Sequence, residues 1–315
     1  MKISVLGGTG FVGHALVERL VADGHDVTVI SRNSARHLDR SLPPSAAIRD
    51  CNAYDPAALA RAIGGSDVVI NLVGILNETG GFGRNDSGRG FQRAHVELTR
   101  SVIAACGAAD VSRLLQMSAL NAGRGRSHYL RTRGEAEELV KAASLDWTIF
   151  QPSVIFGQGD GLFCRFAALL KIAPILPLAR ASTKFAPVWI GDVVEAFCRA
   201  LTDAGSIRQT YELYGSDIVT LTQIVQMVAQ QMRLRRSVVP LPDALGRMQA
   251  FAMDFVPGKP FSSDNFRSLL TDSVGGIDGL HRLGIVATKM SAILPDILGH
   301  GEDRQTRLDR YRARY

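Results

Sequence analysis

At 315 residues, 46% apolar and 21% charged, the chain has the composition of a globular protein with room for a sizeable core. Its net charge of +6 suits a phosphorylated ligand or an anionic surface, and no nucleic-acid motif accompanies it, so no nucleic-acid partner is expected. Cys51, Cys106, Cys164 and Cys198 stand far apart with no C-x-x-C pair, which argues against a disulfide framework and against a metal site.

In chain order, the apolar start Ile3 to Leu6 reaches glycine too soon for a signal peptide. Strands are expected at 3–6, 26–30, 46–50, 67–73, 113–118 and 147–151, separated by helical patterns of period 3.6. One helix covers 11–23, with Leu16, Leu20 and Val21 inward; another opens at Asp55-Pro56, an N-cap oxygen followed by proline at the first position. A third covers 91–109, after a loop at 77–90 that carries five glycines. This alternation predicts an α/β fold, a Rossmann-type doubly wound parallel sheet, with that loop over the carboxyl edge where ligands bind.

Beyond Gln151 the pattern becomes irregular, punctuated by Pro152, Pro174, Pro177 and Pro187. We expect a dinucleotide-binding domain over 1–151 and a smaller carboxyl-terminal α/β lobe over 152–315, with segments near 185–215 returning to the first domain. The apolar stretch 162–178 is broken by Arg165, Lys171 and two prolines, so no membrane span is expected and the chain reads as cytoplasmic. Thr220 and Gln223 form a capping box for a helix through Met232. The tail 302–315 reads as a basic helix with Arg307, Arg310 and Arg314 on one face, either docked by its apolar stripe or facing an anionic partner or membrane.

The turn Gly7-Gly8-Thr9-Gly10-Phe11-Val12-Gly13 lies between the first strand and the first helix, the context that makes a glycine motif a dinucleotide site. Gly7 permits the tight turn, Gly10 admits the pyrophosphate, and Gly13 lets the helix pack on the strand. The second strand ends Ser31-Arg32 with no carboxylate for a ribose 2′-hydroxyl. Arg32, followed by Arg36, offers a fork of donors for a 2′-phosphate, which favours NADP(H) over NAD(H).

The G-x-x-G-x-x-G turn resembles that of the extended and atypical short-chain dehydrogenase/reductase superfamily. Further stretches carry the likeness: Asn71-Leu72-Val73-Gly74, Gln151-Pro152-Ser153, Phe185-Ala186-Pro187-Val188 and Asp192-Val193. Asn71 to Leu76, Gln116 to Asn121 and Ser127 to Arg131 are most similar to the nucleotide-binding accessory subunits of respiratory complex I and their bacterial relatives. The resemblance implies that Leu72, Val73 and Gly74 flank the adenosine ribose, Asp50 lies beside the adenine, and Pro152 borders the nicotinamide. It further implies Tyr-x-x-x-Lys chemistry, in which a lysine holds the ribose and favours ionisation of the tyrosine. Here the motif reads Tyr129-Leu130-Arg131-Thr132-Arg133, with Arg133 in place of lysine. Ser118 is the candidate hydroxyl partner, although the adjacent register would put Ala119 there, and His95 takes the place of an active-site asparagine.

Two functions remain open at this point. One is an NADP(H)-dependent oxidoreductase or epimerase-like enzyme on a small-molecule, lipophilic substrate, the apolar run Leu162, Phe163, Phe166, Leu169 and Leu170 forming either its site or ordinary core. The other is a non-catalytic accessory, assembly or redox-sensing protein bound to a protein partner in respiratory or quinone metabolism, peripheral to the inner membrane. The superfamily's habit of pairing its fourth and fifth helices makes a homodimer through 91–109 and 128–143 a further expectation.

Overall fold

The computed structural model describes residues 1–32, 42–78, 88–256 and 261–299. Strand β1 (Lys2–Leu6) runs into helix α1 (Phe11–Ala22), followed by β2 (Asp26–Ser31), β3 (Ala47–Asp50), α2 (Pro56–Ile63) and β4 (Val68–Asn71). The Asp55 carboxylate accepts from the amides of Ala57 and Ala58, at 3.0 and 3.2 Å, so the Asp-Pro signal sets where α2 begins.

The helix expected at 91–109 is not a uniform α-helix. A short α-turn, α3 (Arg89–Phe91), passes through a π-helical segment at Gln92–Glu97 into α4 (Leu98–Ala108). Such wide turns recur at functional sites, and this one carries His95. There follow β5 (Arg113–Met117), α5 (His128–Ala142) and β6 (Asp146–Pro152).

The sheet has seven parallel strands in the order β11-β6-β5-β4-β1-β2-β3, where β11 is Gln209–Leu213. This is the doubly wound arrangement expected from the alternation. Chain order reverses between β1 and β4, so their carboxyl ends open a crevice. Leu16, Val17 and Leu20 of α1 pack on one face with Val193 and Phe197, and Leu59, Val102, Val140 and Ile149 fill the other. Each such side chain contributes about 1.5–3 kcal/mol through burial.

The carboxyl-terminal lobe holds β7 (Ile155–Phe156), α6 (Phe163–Ile172), β8 (Ile175–Ala179), β9 (Lys184–Phe185) and β10 (Val188–Trp189). Helix α7 (Ile190–Thr202) then returns to the sheet and packs beside α1. After β11 come β12 (Val219–Thr220), α8 (Leu221–Gln231), β13 (Ser237–Leu241), α9 (Asp243–Met253), α10 (Ser263–Ser268), α11 (Gly279–Arg282) and α12 (Met290–Leu298). Thr220 and Gln223 cap α8 reciprocally, as expected. Strand β13 pairs with β8 in a parallel ribbon. Phe163 and Leu170 lie in the lobe's buried core, with Leu162, Phe166 and Leu169 packed around them.

Candidate functional site: a dinucleotide cleft with a buried arginine

The turn after β1 has the geometry its glycines require. Gly7 has φ +79°, and its carbonyl accepts from the Gly10 amide at 3.0 Å. A Cβ on Gly13 would overlap the Gly7 carbonyl oxygen and the Gly8 backbone, so any side chain there would separate α1 from the strand. Gly10 is the N-cap of α1; no side chain caps this end and no acidic residue occupies its first turn. The helix therefore directs the positive end of its dipole, and its first amides, into the crevice. Thr9 and Phe11 are half-buried beside it, Val12 is buried, and the Phe11 ring reaches towards Gly157 in the segment after β6.

At the carboxyl ends of β2 and β3, Ser31 and Asp50 lie opposite each other as the last residues of the two strands, and exposed Arg32 follows. Arg36 lies outside the described residues. On the other side, the Leu72 amide donates to the Leu6 carbonyl at 3.0 Å, and Val73 presses its backbone against Gly7. Buried Asn71 shapes this strand end: its amide donates to Gln116 Oε1 at 3.0 Å and its carbonyl accepts from the Val73 amide at 3.2 Å. Pro152 is buried at the end of β6, its carbonyl accepting from the Leu120 amide.

Tyr129 and Arg133 lie one helical turn apart on α5, facing these strand ends. Arg133 is 6% exposed, and its Nη1 donates to the carbonyls of Met117 (3.0 Å) and Val73 (3.3 Å). Its guanidinium fills the space a Cβ on Gly74 would need, so Gly74 and Arg133 depend on each other. The guanidinium carbon is 5.6 Å from the Tyr129 ring centroid. Arg133 Nε and the Ser118 hydroxyl are buried with no hydrogen-bond partner among the described residues. Buried donors are normally satisfied, and these two stand unpaired at the carboxyl edge of the sheet. The structure does not hydrogen-bond Ser118 to Tyr129 or Arg133; its amide donates to the Phe150 carbonyl, and buried Ala119 follows.

His95 is a buried tie between the loop after β4 and helix α5. The Ile75 amide donates to its Nε2 at 3.3 Å, which places the ring proton on Nδ1, 2.8 Å from Thr132 Oγ1. The Thr132 hydroxyl in turn donates to the His128 carbonyl at 2.8 Å. Burial, reinforced by the Arg133 cation, pushes the His95 pKa down from 6.5 to about 2. The ring supports Tyr129 edge-on, at 5.6 Å between centroids, with Phe91 at 6.2 Å on the tyrosine's flank.

Because the folded protein excludes the His95 proton and the unfolded chain accepts it below about pH 6.5, this group's contribution to stability falls as pH drops. Between pH 7 and pH 5 the loss amounts to about 2 kcal/mol. His95→Gln is expected to flatten the fall in unfolding midpoint over that interval relative to the wild type. Parallel midpoint curves for the two proteins would contradict the assignment.

Sequence reading missed the groups that hold the tyrosine helix in place. Ser127 caps α5 through the Leu130 amide, and Asp264 on α10 accepts from the amides of His128 (2.7 Å) and Tyr129 (3.1 Å). The same short helix clasps the loop after β4: Asn265 Nδ2 donates to the Leu76 carbonyl and Ser262 Oγ to Asn77 Oδ1. A capping box, Ser262 with Asn265, marks α10 in the sequence, but nothing local says that Asp264 reaches α5.

Residues 7–161 match the family model described as NAD(P)H-binding. The mitochondrial NADH dehydrogenase (ubiquinone) 1 alpha subcomplex subunit 9 of Arabidopsis thaliana is 31% identical over 292 residues, 86% of this chain and 70% of that protein. The chain belongs to this NAD(P)-binding family. The family likeness extends to the ceramide reductase of Caulobacter vibrioides, 26% identical over 76% of this chain and 74% of that protein. The solved dTDP-glucose 4,6-dehydratase DesIV of Streptomyces venezuelae shares the fold, with a TM-score of 0.74 and 17% identity over 97% of this chain and 98% of that one. These relationships agree with the superfamily resemblance carried by the glycine turn. No helix among the described residues is long and apolar enough to cross a membrane.

Proposed function

We propose that this chain binds NADP(H) and works as an oxidoreductase on a lipophilic substrate, with Tyr129 as its acid/base group and Arg133 as the supporting cation. The observation that carries this reading is the buried Arg133 guanidinium, fixed by two backbone carbonyls within reach of the Tyr129 ring. It gives the tyrosine a positive neighbour at the position the superfamily gives to lysine. The glycine turn and the N-terminus of α1 would hold the pyrophosphate, Arg32 the 2′-phosphate, and Leu72, Val73 and Gly74 the adenosine ribose. Asp50 would stand beside the adenine and Pro152 beside the nicotinamide. When bound, the dinucleotide supplies or accepts a hydride. In reduction the Tyr129 hydroxyl gives its proton to the substrate oxygen, and Arg133 attracts the charge left on the phenolate. The ceramide reductase relative supports a lipid-like substrate.

Arg32→Asp is expected to weaken NADPH binding on the order of thirtyfold, by removing one charge-assisted contact and adding a repulsive charge. Unchanged affinity in a fluorescence titration would remove Arg32 from the 2′-phosphate site.

A second reading, a non-catalytic accessory subunit, is favoured by the likeness to the Arabidopsis subunit. There the nucleotide would stabilise the fold by mass action. Native mass spectrometry of protein purified gently from its own cells separates the two. A monomer or homodimer carrying exchangeable NADP(H) supports the enzyme; a stoichiometric protein partner with a nucleotide that does not exchange supports the accessory role.

A further inference from the structure

One helix of the carboxyl-terminal lobe exposes a run of large apolar side chains. Along α9 and just past its end, Leu245, Met248, Phe251, Phe255 and Val256 are each 41–62% exposed. The other side of the helix packs Gly246 and Ala250 against Ala179 and Phe266. Phe251 and Phe255 meet edge to face, with centroids 5.4 Å apart. Gln249 donates to the Pro177 carbonyl at 3.4 Å, which ties α9 to the β8–β13 ribbon, where Ile175 and Val239 are also exposed. Ile172, 81% exposed, ends α6 immediately before that ribbon. Five large apolar side chains exposed along one helix and its end are the kind of surface that marks a partner or membrane contact.

Cations predominate among the charges beside this face. Lys171, Arg233, Arg235 and Arg247 are exposed and Arg236 is half-buried, all on or next to α6, β13 and α9. Asp243 is the only carboxylate on α6, β8, β13 and α9, and both of its oxygens are 3.1 Å from Arg180 Nη1. Asp254, at the end of α9, is buried and accepts from the amide and hydroxyl of Ser263.

We propose that α9 with the β8–β13 ribbon docks this protein on an anionic lipid bilayer. Phe, Met and Leu side chains would enter the acyl boundary while the arginines and Lys171 remain among the headgroup phosphates. A fringe of cations around flexible and aromatic apolar side chains suits a fluid anionic surface, which needs no fixed complementary shape. The inference stands independently of whether Tyr129 is catalytic. It also places the docked face one helix from the cleft, because Asp254 holds the start of α10 and α10 holds α5.

The test is cosedimentation of the full chain with phosphatidylcholine vesicles and with the same vesicles containing phosphatidylglycerol. Binding to the anionic vesicles is expected to be at least about tenfold tighter. The triple variant Met248→Ser, Phe251→Ser, Phe255→Ser should lose on the order of a hundredfold in that binding while keeping its unfolding midpoint, since all three side chains are exposed. Arg235→Glu with Arg247→Glu should abolish the preference for anionic vesicles. Three results would each overturn the proposal: no binding to either vesicle, equal binding to both, or binding that survives both variants and disappears on deletion of 300–315. Release of a stoichiometric protein partner by the triple variant, with no vesicle binding by the wild type, would assign the face to a protein instead.

Discussion

Gly13→Ala is expected to abolish dinucleotide binding and to lower stability by about 3–4 kcal/mol, enough to leave much of the protein unfolded at physiological temperature. The new methyl group would meet backbone on both sides of the turn, at the Gly7 carbonyl and the Gly8 Cα, and backbone cannot move aside as a side-chain tip can. Restoring van der Waals distance requires α1 to lift from β1, uncovering Leu16, Val17 and Leu20. Gly107→Ala is the matched control. It lies within α4 with open space around its Cα and should stabilise the protein by up to about 1 kcal/mol. Thermal melts and NADPH titrations of the two variants would decide the matter, and a Gly13→Ala protein behaving like wild type would refute the tight turn.

The second large effect concerns the proposed chemistry. Tyr129→Phe removes the hydroxyl and keeps the ring that packs on His95 and Phe91, so NADPH affinity should hold while turnover falls by about 10²–10⁴. Arg133→Lys is the more discriminating change. A single ammonium cannot reproduce a guanidinium that bridges the Val73 and Met117 carbonyls while lying beside Tyr129. Turnover is therefore expected to drop at least about tenfold despite the return of the superfamily's spacing. A gain in turnover on a substrate that the wild type ignores would show that Arg133 had retired an ancestral enzyme.

The phosphate turn was legible because the apolar period changes from two to 3.6 across a run of glycines, and such local patterns survive into the fold. The same is true of the Asp55-Pro56 start of α2 and the Thr220–Gln223 capping box. Strand β11 was harder to place, since its neighbour β6 lies some sixty residues earlier and parallel pairing leaves no mark in local sequence. The strand expected over 67–73 ends at Asn71, where the side-chain carbonyl takes the Val73 amide and turns the chain towards the cleft. The structural part played by His95 was hidden for a similar reason. Nothing adjacent to it announces that Ile75 and Thr132, twenty and thirty-seven residues away, will occupy its two nitrogens. The π-helical segment that carries it has no compositional signature, and the basic tail at 302–315 lies outside the described residues.

The clasp made by α10 has a kinetic consequence. It joins the loop after β4 to the first turn of α5 through four hydrogen bonds, two of them to the Asp264 carboxylate. Swinging the lobe away at that end would break all four together, at a cost of about 4–9 kcal/mol. A jaw closed so firmly opens rarely. If the dinucleotide lies as proposed, its exchange is expected to proceed from the adenosine end, with the nicotinamide half the last to leave.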